Sequence, residues 1–391
     1  MRQRFADALR AGHVRFWRSL GRAGGEPRRR HAAVVLKLDR LGDFVLALGA
    51  IRLVLEKFGE ERCALVIGPD VAALARQEFP RATLVVLSPF VRHKRAWPGW
   101  WRARAALSAL ACDHLVCLRH QRWDYHELAL GWIHAAQVHA IDDPRAEAWV
   151  RQRRGGGHPT RQPWREAPVA AGLCRELELH RQVLAEVLGE FPAPDLIRPC
   201  LRGVPPIPGG AGGRYAVVAP LASDPLRRIP PGLVAQLTQA GAWPEVERIL
   251  VVGSAEQGPR LQQYVRELGG RPGVTAAVML PGSVPEFAAL VAEATWVLTA
   301  DTAAAHLGAA LDRPTVVLLG GGHPGQFGPW SRSGRQRWLT HPLPCFGCAW
   351  KCPHPEPWCL TRITVADVSA ALAAVVAAPA DPRQAGGLTA R

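Results

Sequence analysis

Thr299-Ala-Asp-Thr-Ala-Ala-Ala-His306 is followed by an apolar run, Pro314-Thr-Val-Val-Leu-Leu319, and then by Gly320-Gly-Gly-His-Pro-Gly-Gln-Phe-Gly-Pro-Trp330. The first stretch reads as the end of a strand, Trp296–Ala300, closing on an Asp-Thr pair from which a small-residue helix starts at once. The first backbone N–H groups of such a helix have no partner within it and point past the strand's carboxyl end, a geometry that binds anions and diphosphates above all. The second strand opens into a three-glycine turn, where backbone can approach a ligand closely. Alone, the stretch describes a phosphate or nucleotide crevice.

Working outward, the same alternation recurs on both sides. Tyr215–Ala219, Arg248–Gly253 and Ala277–Leu280 read as strands with helices between them, Thr315–Leu319 as another, and Val365–Ala377 as a final helix. The N-terminal half repeats the scheme from His31, with strands at Ala33–Leu38, Cys63–Ile67, Thr83–Leu87 and His114–Leu118. Helices are expected at Phe44–Phe58, Val71–Glu78, Trp101–Leu110 and Ala171–Leu188. Near-continuous apolar strands separated by helices are the signature of a doubly wound parallel sheet.

Leu201–Gly213 is too dense in Pro and Gly to lie inside an element and reads as a linker. The expected class is therefore α/β, with two Rossmann-like doubly wound domains facing a cleft that would be the ligand site. The expected organisation is a basic extension over residues 1–30, a first domain over 31–200, the linker over 201–213, a second domain over 214–377 and a disordered tail over 378–391. Arg151–Arg165, rich in Gly, Arg and Pro, reads as a mobile insertion.

A length of 391 residues suits two domains, and a hydrophobic content of 48% with 21% charged residues describes a globular chain. The formal net charge is +15, and only four of the cations are lysine. Such a surface fits nucleic acid, anionic lipid headgroups or a phosphorylated substrate; the arginine bias equally fits GC-rich codon usage. Residues 1–20 lack an uninterrupted apolar core, and the run Ala366–Ala380 is too short to span a bilayer. Nine cysteines without an export signal point to a reducing compartment. A cytoplasmic protein with peripheral membrane contact is expected. Phe5, Leu9, Phe16 and Leu20 recur at roughly helical spacing among nine arginines in residues 1–30, which suits a helix lying on an anionic membrane or a solvated extension.

The first strand's exit reads Lys37-Leu-Asp-Arg-Leu-Gly-Asp-Phe-Val-Leu46. The Gly-x-Gly-x-x-Gly of a dinucleotide-binding turn is absent, which counts against a nicotinamide-dependent dehydrogenase. Gly42 permits a tight turn, and Asp43 opens the next helix as an N-cap or serves as a general base on the lip of the strand. In the second half, Ala219-Pro-Leu-Ala-Ser-Asp-Pro-Leu-Arg-Arg-Ile-Pro230 sets Arg227 and Arg228 on the first loop, where cations bind a leaving diphosphate or simply meet solvent. Val251-Val-Gly-Ser-Ala-Glu256 ends the second strand, with Gly253 at the turn and Glu256 placed either to accept from ribose hydroxyls or to cap its own helix.

Together these stretches resemble the family 9 glycosyltransferases, the bacterial heptosyltransferases of lipopolysaccharide synthesis. The resemblance rests on their order: Leu-Gly-Asp after strand one, the loop ending Arg-Arg-Ile-Pro, Asp-Thr-x-x-x-His, and the late glycine turn with Phe-Gly-Pro-Trp. A fifth agreement is the tail Cys345-Phe-Gly-Cys-Ala-Trp-Lys-Cys352, continuing to Trp358-Cys359. It spans about residues 32–377.

The resemblance implies a GT-B fold, a nucleotide-activated sugar on the C-terminal domain, an acceptor on the N-terminal domain, inversion at the anomeric carbon and no metal ion in catalysis. Carried over by position, Asp43 is the base; Arg40 and Gly42 beside it, with Arg95 of the first domain, are candidate acceptor contacts. Arg227, Arg228, Gly253, Glu256, Asp301, Thr302, Ala303, His306, Gly321 and Gly322 line the donor. The implied partners are a nucleotide sugar such as ADP-heptose, a lipopolysaccharide-core or surface-glycan acceptor, and the inner face of a bacterial inner membrane. Three departures stand out: Arg227 where a lysine is usual, Ala303 where a glycine is common, and Gly-Gly-Gly-His-Pro in place of Gly-Pro-Thr-(Asp or Glu)-Pro. They bear on donor choice, and they motivate a rival reading as a catalytically silent nucleotide-sugar-binding protein.

Cys345, Cys348, Cys352 and Cys359 have spacings that permit four thiolates around a structural zinc or iron, and packed free thiols are the alternative. Phe90–Arg104 mixes five Lys or Arg cations and a histidine with three tryptophans, which suits a phosphorylated glycolipid at a bilayer surface, single-stranded nucleic acid, or a helix packing its rings inward. No nucleic-acid module motif accompanies it, so no nucleic-acid partner is expected.

Overall fold

The structure, a computed structural model, describes residues 16–17, 19–20, 29–88, 97–119, 122, 124–141, 169–170, 172–207, 213–241, 243–268 and 274–381. The leader before Phe16, Arg95, the insertion at Arg151–Arg165 and the tail beyond Asp381 lie outside them. Contacts divide the chain into two units, Met1–Arg40 with Gly49–Val169 and Glu176–Ile197, and Leu41–Leu48 with Ala170–Arg175 and Arg198–Arg391.

The strands of the first unit are β1 (Arg29–Lys37), β2 (Cys63–Ile67), β3 (Thr83–Val86), β4 (Leu110–Cys117) and β5 (His134–Ala140). They form one parallel sheet in the order β3-β2-β1-β4-β5. The helices between are α1 (Leu41–Phe58), α2 (Ala72–Glu78), α3 (Trp97–Ser108) and α4 (Asp124–Trp132), followed by α5 (Arg175–Leu188) and α6 (Pro194–Ile197). Val34, Leu36, Ala64, Val66, Leu115 and Cys117 are buried in one core, as a sheet covered on both faces requires.

Of the element boundaries that differ from expectation, three bear on the first sheet and its exit. Leu110 belongs to β4 rather than to the end of a helix, and Ala111 and Cys112, expected in neither element, join it, because the three pair with Arg29, Arg30 and His31. A short apolar run does not itself distinguish helix from strand, and the partner strand decides. The same pairing extends β1 back to Arg29, into the stretch expected as a basic extension. Thirdly, α1 starts at Leu41, so Asp43 is in the first helical turn and the cap is the extended Arg40, which makes no side-chain cap bond. Two elements are absent from the sequence-based expectation. β5 carries His134, Gln137 and His139 and pairs with β4 alone, so it has an edge strand's mixed pattern; α4 precedes it.

The second unit's sheet is β6 (Tyr215–Ala219), β7 (Arg248–Val252), β8 (Thr275–Met279), β9 (Trp296–Ala300), β10 (Thr315–Leu318) and β11 (Gln336–Leu339), parallel, in the order β11-β10-β9-β6-β7-β8. Its helices are α7 (Pro231–Gln239), α8 (Gly258–Leu268), α9 (Val284–Glu293), α10 (Ala303–Ala310), α11 (Trp358–Thr361) and α12 (Val365–Ala377). Each start has a local cause. Pro231 is preset for the first helical position of α7, Ser283 accepts from Glu286 N at the head of α9, and Thr364 with Asp367 forms a capping box on α12. α10 is apolar nearly all round, and every residue from Ala304 to Ala310 is buried. Edge strand β11 is a further unexpected element; its sequence, Gln-Arg-Trp-Leu, carries no β-branched signal. Among the described residues no helix is long and apolar enough to cross a membrane.

Candidate active site

In a doubly wound sheet the ligand crevice lies at the carboxyl ends of the two strands where the order reverses. In the second unit these are β6 and β9, paired in register from Ala216↔Trp296 to Ala219↔Thr299. The loop after β6 carries Arg227 and the loop after β9 carries Asp301, so the topology converges two motifs far apart in sequence.

They touch. Arg227 Nη2 donates to the Asp301 backbone carbonyl and lies 3.3 Å from its Oδ2. The Asp301 carboxylate is 8% exposed and the Arg227 side chain 23%, so the pair is shielded from water. Asp224 caps the short turn Pro225–Arg227 by accepting from Leu226 N at 2.9 Å, which orients the arginine's backbone. The guanidinium carbon is 5.4 Å from the Trp350 ring centroid. Nε of Arg227 is buried, with no hydrogen-bond partner among the described residues.

Thr302 is the N-cap of α10 without a side-chain cap bond; its hydroxyl is 3.3 Å from that of Thr299. Ala303 opens the helix. His306, one turn in, is buried and accepts from the Trp330 indole N–H at Nδ1, 3.3 Å away. Because an indole only donates, the His306 ring proton sits on Nε2. Gly42 belongs to this unit as well. A side-chain carbon on it would stand 3.1 Å from His306 Cδ2 and 3.5 Å from Ala303 Cα, so glycine is what lets the start of α1 lie against the start of α10. Asp43, half-buried, is the next residue of that turn.

The glycine turn after β10 is filled by the chain itself. A side-chain carbon on Gly320 would fall 2.8 Å from the Trp350 ring, one on Gly321 2.6 Å from Phe346, and one on Gly322 inside the Trp350 ring. Trp350 and Ala349 have positive φ (64° and 49°), and Gly347 N and Ala349 N donate to the carbonyls of Gly321 and Gly322. The aromatic residues of the cysteine-bearing segment therefore roof the turn. Phe346 and Trp350 carry no signal of a site role in the sequence, where they look like ordinary members of that segment.

The other predicted donor residues stand apart from the Arg227–Asp301 contact. Arg228 donates from Nε to the Ala222 carbonyl at 3.2 Å. Gly253 packs under Gln257 and Leu261. Glu256 is exposed in the turn Ala255–Gln257, which Ser254 and Gln257 close as a capping box. Hydrogen bonds from Ser254 and from its own backbone hold the Glu256 carboxyl below the usual range. Of the acceptor residues, Arg40 is exposed and Arg95 is outside the described residues.

The first unit has its own reversal, between β1 and β4, and there lies a buried ionic cluster that the sequence does not announce. Lys37 Nζ, fully buried, donates to the Leu118 carbonyl at 2.7 Å and lies 3.0 Å from Asp39 Oδ2 and 4.0 Å from Glu176 Oε1. Arg119 and His126 approach Asp39 Oδ1 at 3.2 and 3.5 Å, and His180 Nε2 lies 3.6 Å from Glu176. Burial alone would raise the Asp39 carboxyl, but Lys37, Arg119 and His126 outweigh it and hold Asp39 well below the usual carboxylate range. Burial pushes His126 and His180 down, so both rings are neutral. In sequence the Asp39 end of the cluster stands just ahead of the Gly42–Asp43 turn.

Cys345, Cys348, Cys352 and Cys359 are partly buried free thiols. Cys359 Sγ accepts from Gly321 N at 3.3 Å and Cys352 Sγ donates to the Glu356 carbonyl at 3.7 Å. Among the described residues no group of three His, Cys, Asp or Glu side chains is gathered as a metal ion would need.

Solved structures share this architecture. The E. coli heptosyltransferase WaaC with ADP superposes with a TM-score of 0.62 at 19% identity, over 87% of this chain and 98% of that one. E. coli ADP-heptose lps heptosyltransferase II does so with a TM-score of 0.55 at 15% identity, over 88% and 98%. At these identities the likeness speaks for the fold, which is the GT-B glycosyltransferase fold. Residues 211–353 match glycosyltransferase family 9 (heptosyltransferase). Lipopolysaccharide heptosyltransferase 1 of Pseudomonas aeruginosa is 32% identical over 161 residues, 35% of this chain and 45% of that protein, so the match spans about half the length of this curated relative. The family match therefore lies within the second unit.

Proposed function

We propose that the protein is an inverting glycosyltransferase that moves a sugar, heptose from ADP-heptose in the first instance, onto a lipopolysaccharide core or related bacterial surface glycan at the inner face of the inner membrane. The observation that carries this reading is the Arg227–Asp301 contact at the switch point of a family 9 domain, with the Gly42–Asp43 turn packed against the same helix start.

In the proposed step, Asp43 accepts the proton of the acceptor hydroxyl as its oxygen attacks the anomeric carbon, and the bond from that carbon to the diphosphate breaks. Charge building on the departing nucleotide diphosphate is met by Arg227 and by the free N–H groups at the start of α10. The unpartnered Nε–H of Arg227 supports this role, since a phosphate oxygen would supply its acceptor. Asp301 holds Arg227 and repels phosphate, so it serves the sugar or the arginine rather than the diphosphate. No metal ion enters this scheme, because the fixed cation and helix start supply the counter-charge.

The test is titration calorimetry and thermal shift against ADP-, GDP-, UDP- and dTDP-sugars, followed by a transfer assay with the sugar that binds. Binding of one nucleotide sugar, lost in Asp301→Ala, with transfer abolished in Asp43→Ala, is the expected result. Binding without transfer or donor hydrolysis in the unaltered protein would leave a nucleotide-sugar-binding protein. No response to any nucleotide sugar overturns the reading.

A further inference from the structure

We infer that the face formed by Phe16, Trp101, Arg102 and Arg104 is a docking surface for an anionic bilayer. It deepens the membrane-surface part of the reading above, and it rests on separate observations within the first unit.

Trp17 is fully buried. Its ring stacks on Trp100 with centroids 5.5 Å apart, and meets Trp101 at 4.8 Å and Trp132 at 6.2 Å edge-on. One helical turn of the N-terminal segment is thus pinned to α3 by a cluster of tryptophans. Arg104 reinforces it, donating from Nη2 to the Leu20 carbonyl at 2.9 Å. The two rings that flank Trp17 keep part of their surface in water: Phe16 is 39% exposed and Trp101 43%. Large aromatic rings held at the surface by a buried scaffold are costly in water and favourable at a headgroup boundary.

Charge sets the partner. Arg104 lies over the Trp101 ring at 5.4 Å, and exposed Arg102 is the next residue of the helix. Neither Phe16–Leu20 nor Trp97–Ser108 contains an acidic residue. Rings bordered by guanidinium groups match the phosphates and acyl boundary of an anionic leaflet.

The test is co-sedimentation of the full chain with vesicles of phosphatidylglycerol and phosphatidylcholine, against vesicles of phosphatidylcholine alone. Binding to the anionic vesicles that weakens with salt is expected. Trp101→Ser and Phe16→Ser should each lower the partition coefficient about tenfold, and Trp101→Tyr far less, since apolar area and ring character are what insert. Arg102→Gln should weaken only the anionic-vesicle binding. The nucleotide-sugar thermal shift, read from each variant's own melting temperature, should be unchanged in all four, which separates this surface from the donor site. Equal vesicle binding by the serine variants overturns the proposal. So does a change of oligomeric state without a change in vesicle binding, which would make the face a contact between copies, and so does preferential capture of a short oligonucleotide over the anionic vesicles.

Discussion

Arg227 and Asp301 are 74 residues apart in the chain, and one guanidinium nitrogen of the former faces both the backbone carbonyl and the carboxylate of the latter. The arginine's position is therefore set by the end of β9 as much as by its own loop. A lysine carries all its donors on one nitrogen, so it cannot reach Asp301 with one nitrogen and present a second, separate one elsewhere.

Arg227→Met should weaken nucleotide-sugar binding by about ten- to a hundredfold, the worth of about 1.5–3 kcal/mol for a charge-assisted hydrogen bond. Arg227→Lys should recover part of the loss. Calorimetric titration of both variants with the nucleotide sugar that the unaltered protein binds checks this; unchanged affinity in the methionine variant would remove Arg227 from the donor site.

Asp43→Asn should lower kcat by about 10²–10⁴-fold, the range of general-base catalysis, and leave donor affinity within about a factor of three. The nearly isosteric amide keeps the half-buried turn of α1 and removes the proton acceptor. Steady-state transfer rates beside calorimetry separate the two effects.

Lys37→Met should cost about 3–5 kcal/mol of stability, because it removes the fully buried cation between the Asp39 and Glu176 carboxylates. The same cluster gives stability a pH dependence. His126 and His180 are depressed in the folded state, chiefly by burial, so below about pH 6.5 the unfolded chain binds protons that the folded one does not. Stability is then full above that pH and falls on acidification. Asp39 is depressed too, and its contribution is lost as pH falls below about 4, the unfolded carboxylate value. Denaturant midpoints between neutral pH and pH 5 should fall, and fall less steeply in His126→Gln and His180→Gln.

Gly321→Ala should destabilise the second unit by about 1–3 kcal/mol, since the new methyl would meet Phe346 at 2.6 Å. Trimming the ring in Gly321→Ala/Phe346→Leu should return part of that loss. A double-mutant cycle on urea midpoints measures the coupling; additive costs would mean the roof can shift freely.

Thiol titration of the unfolded protein in the presence of chelator, without reductant, should return nine free thiols. Elemental analysis of the protein as purified decides whether Cys345, Cys348, Cys352 and Cys359 hold zinc or iron or stay as the separately engaged thiols seen at Cys352 and Cys359. Tightly held metal at one per chain would require the segment to rearrange.

Much of this molecule is legible locally. The buried parallel strands announce themselves as β-branched runs, and the Asp301–Thr302 helix start and the Gly42–Asp43 turn are short motifs whose backbone geometry follows from their own residues. Edge strands β5 and β11 are not legible, because one open side lets polar residues in and erases the pattern. The ends of β1 and β4 are not either, since Arg29 and Leu110 become strand only by pairing with each other. Lys37 and Asp39 look like ordinary residues of a strand exit, although they anchor an ionic cluster that needs Arg119, His126 and Glu176 from elements far along the chain.

Composition, periodicity and turn chemistry thus determined an α/β chain with two Rossmann-like sheets and the motifs at their carboxyl edges, since those properties depend on neighbours a few residues apart. Tertiary structure alone decided that Arg227 grips Asp301, that Trp330 fixes the His306 tautomer, and that Trp350 and Phe346 close over Gly320–Gly322. Each of these joins residues by strand order and side-chain volume, and neither quantity exists until the sheet has assembled.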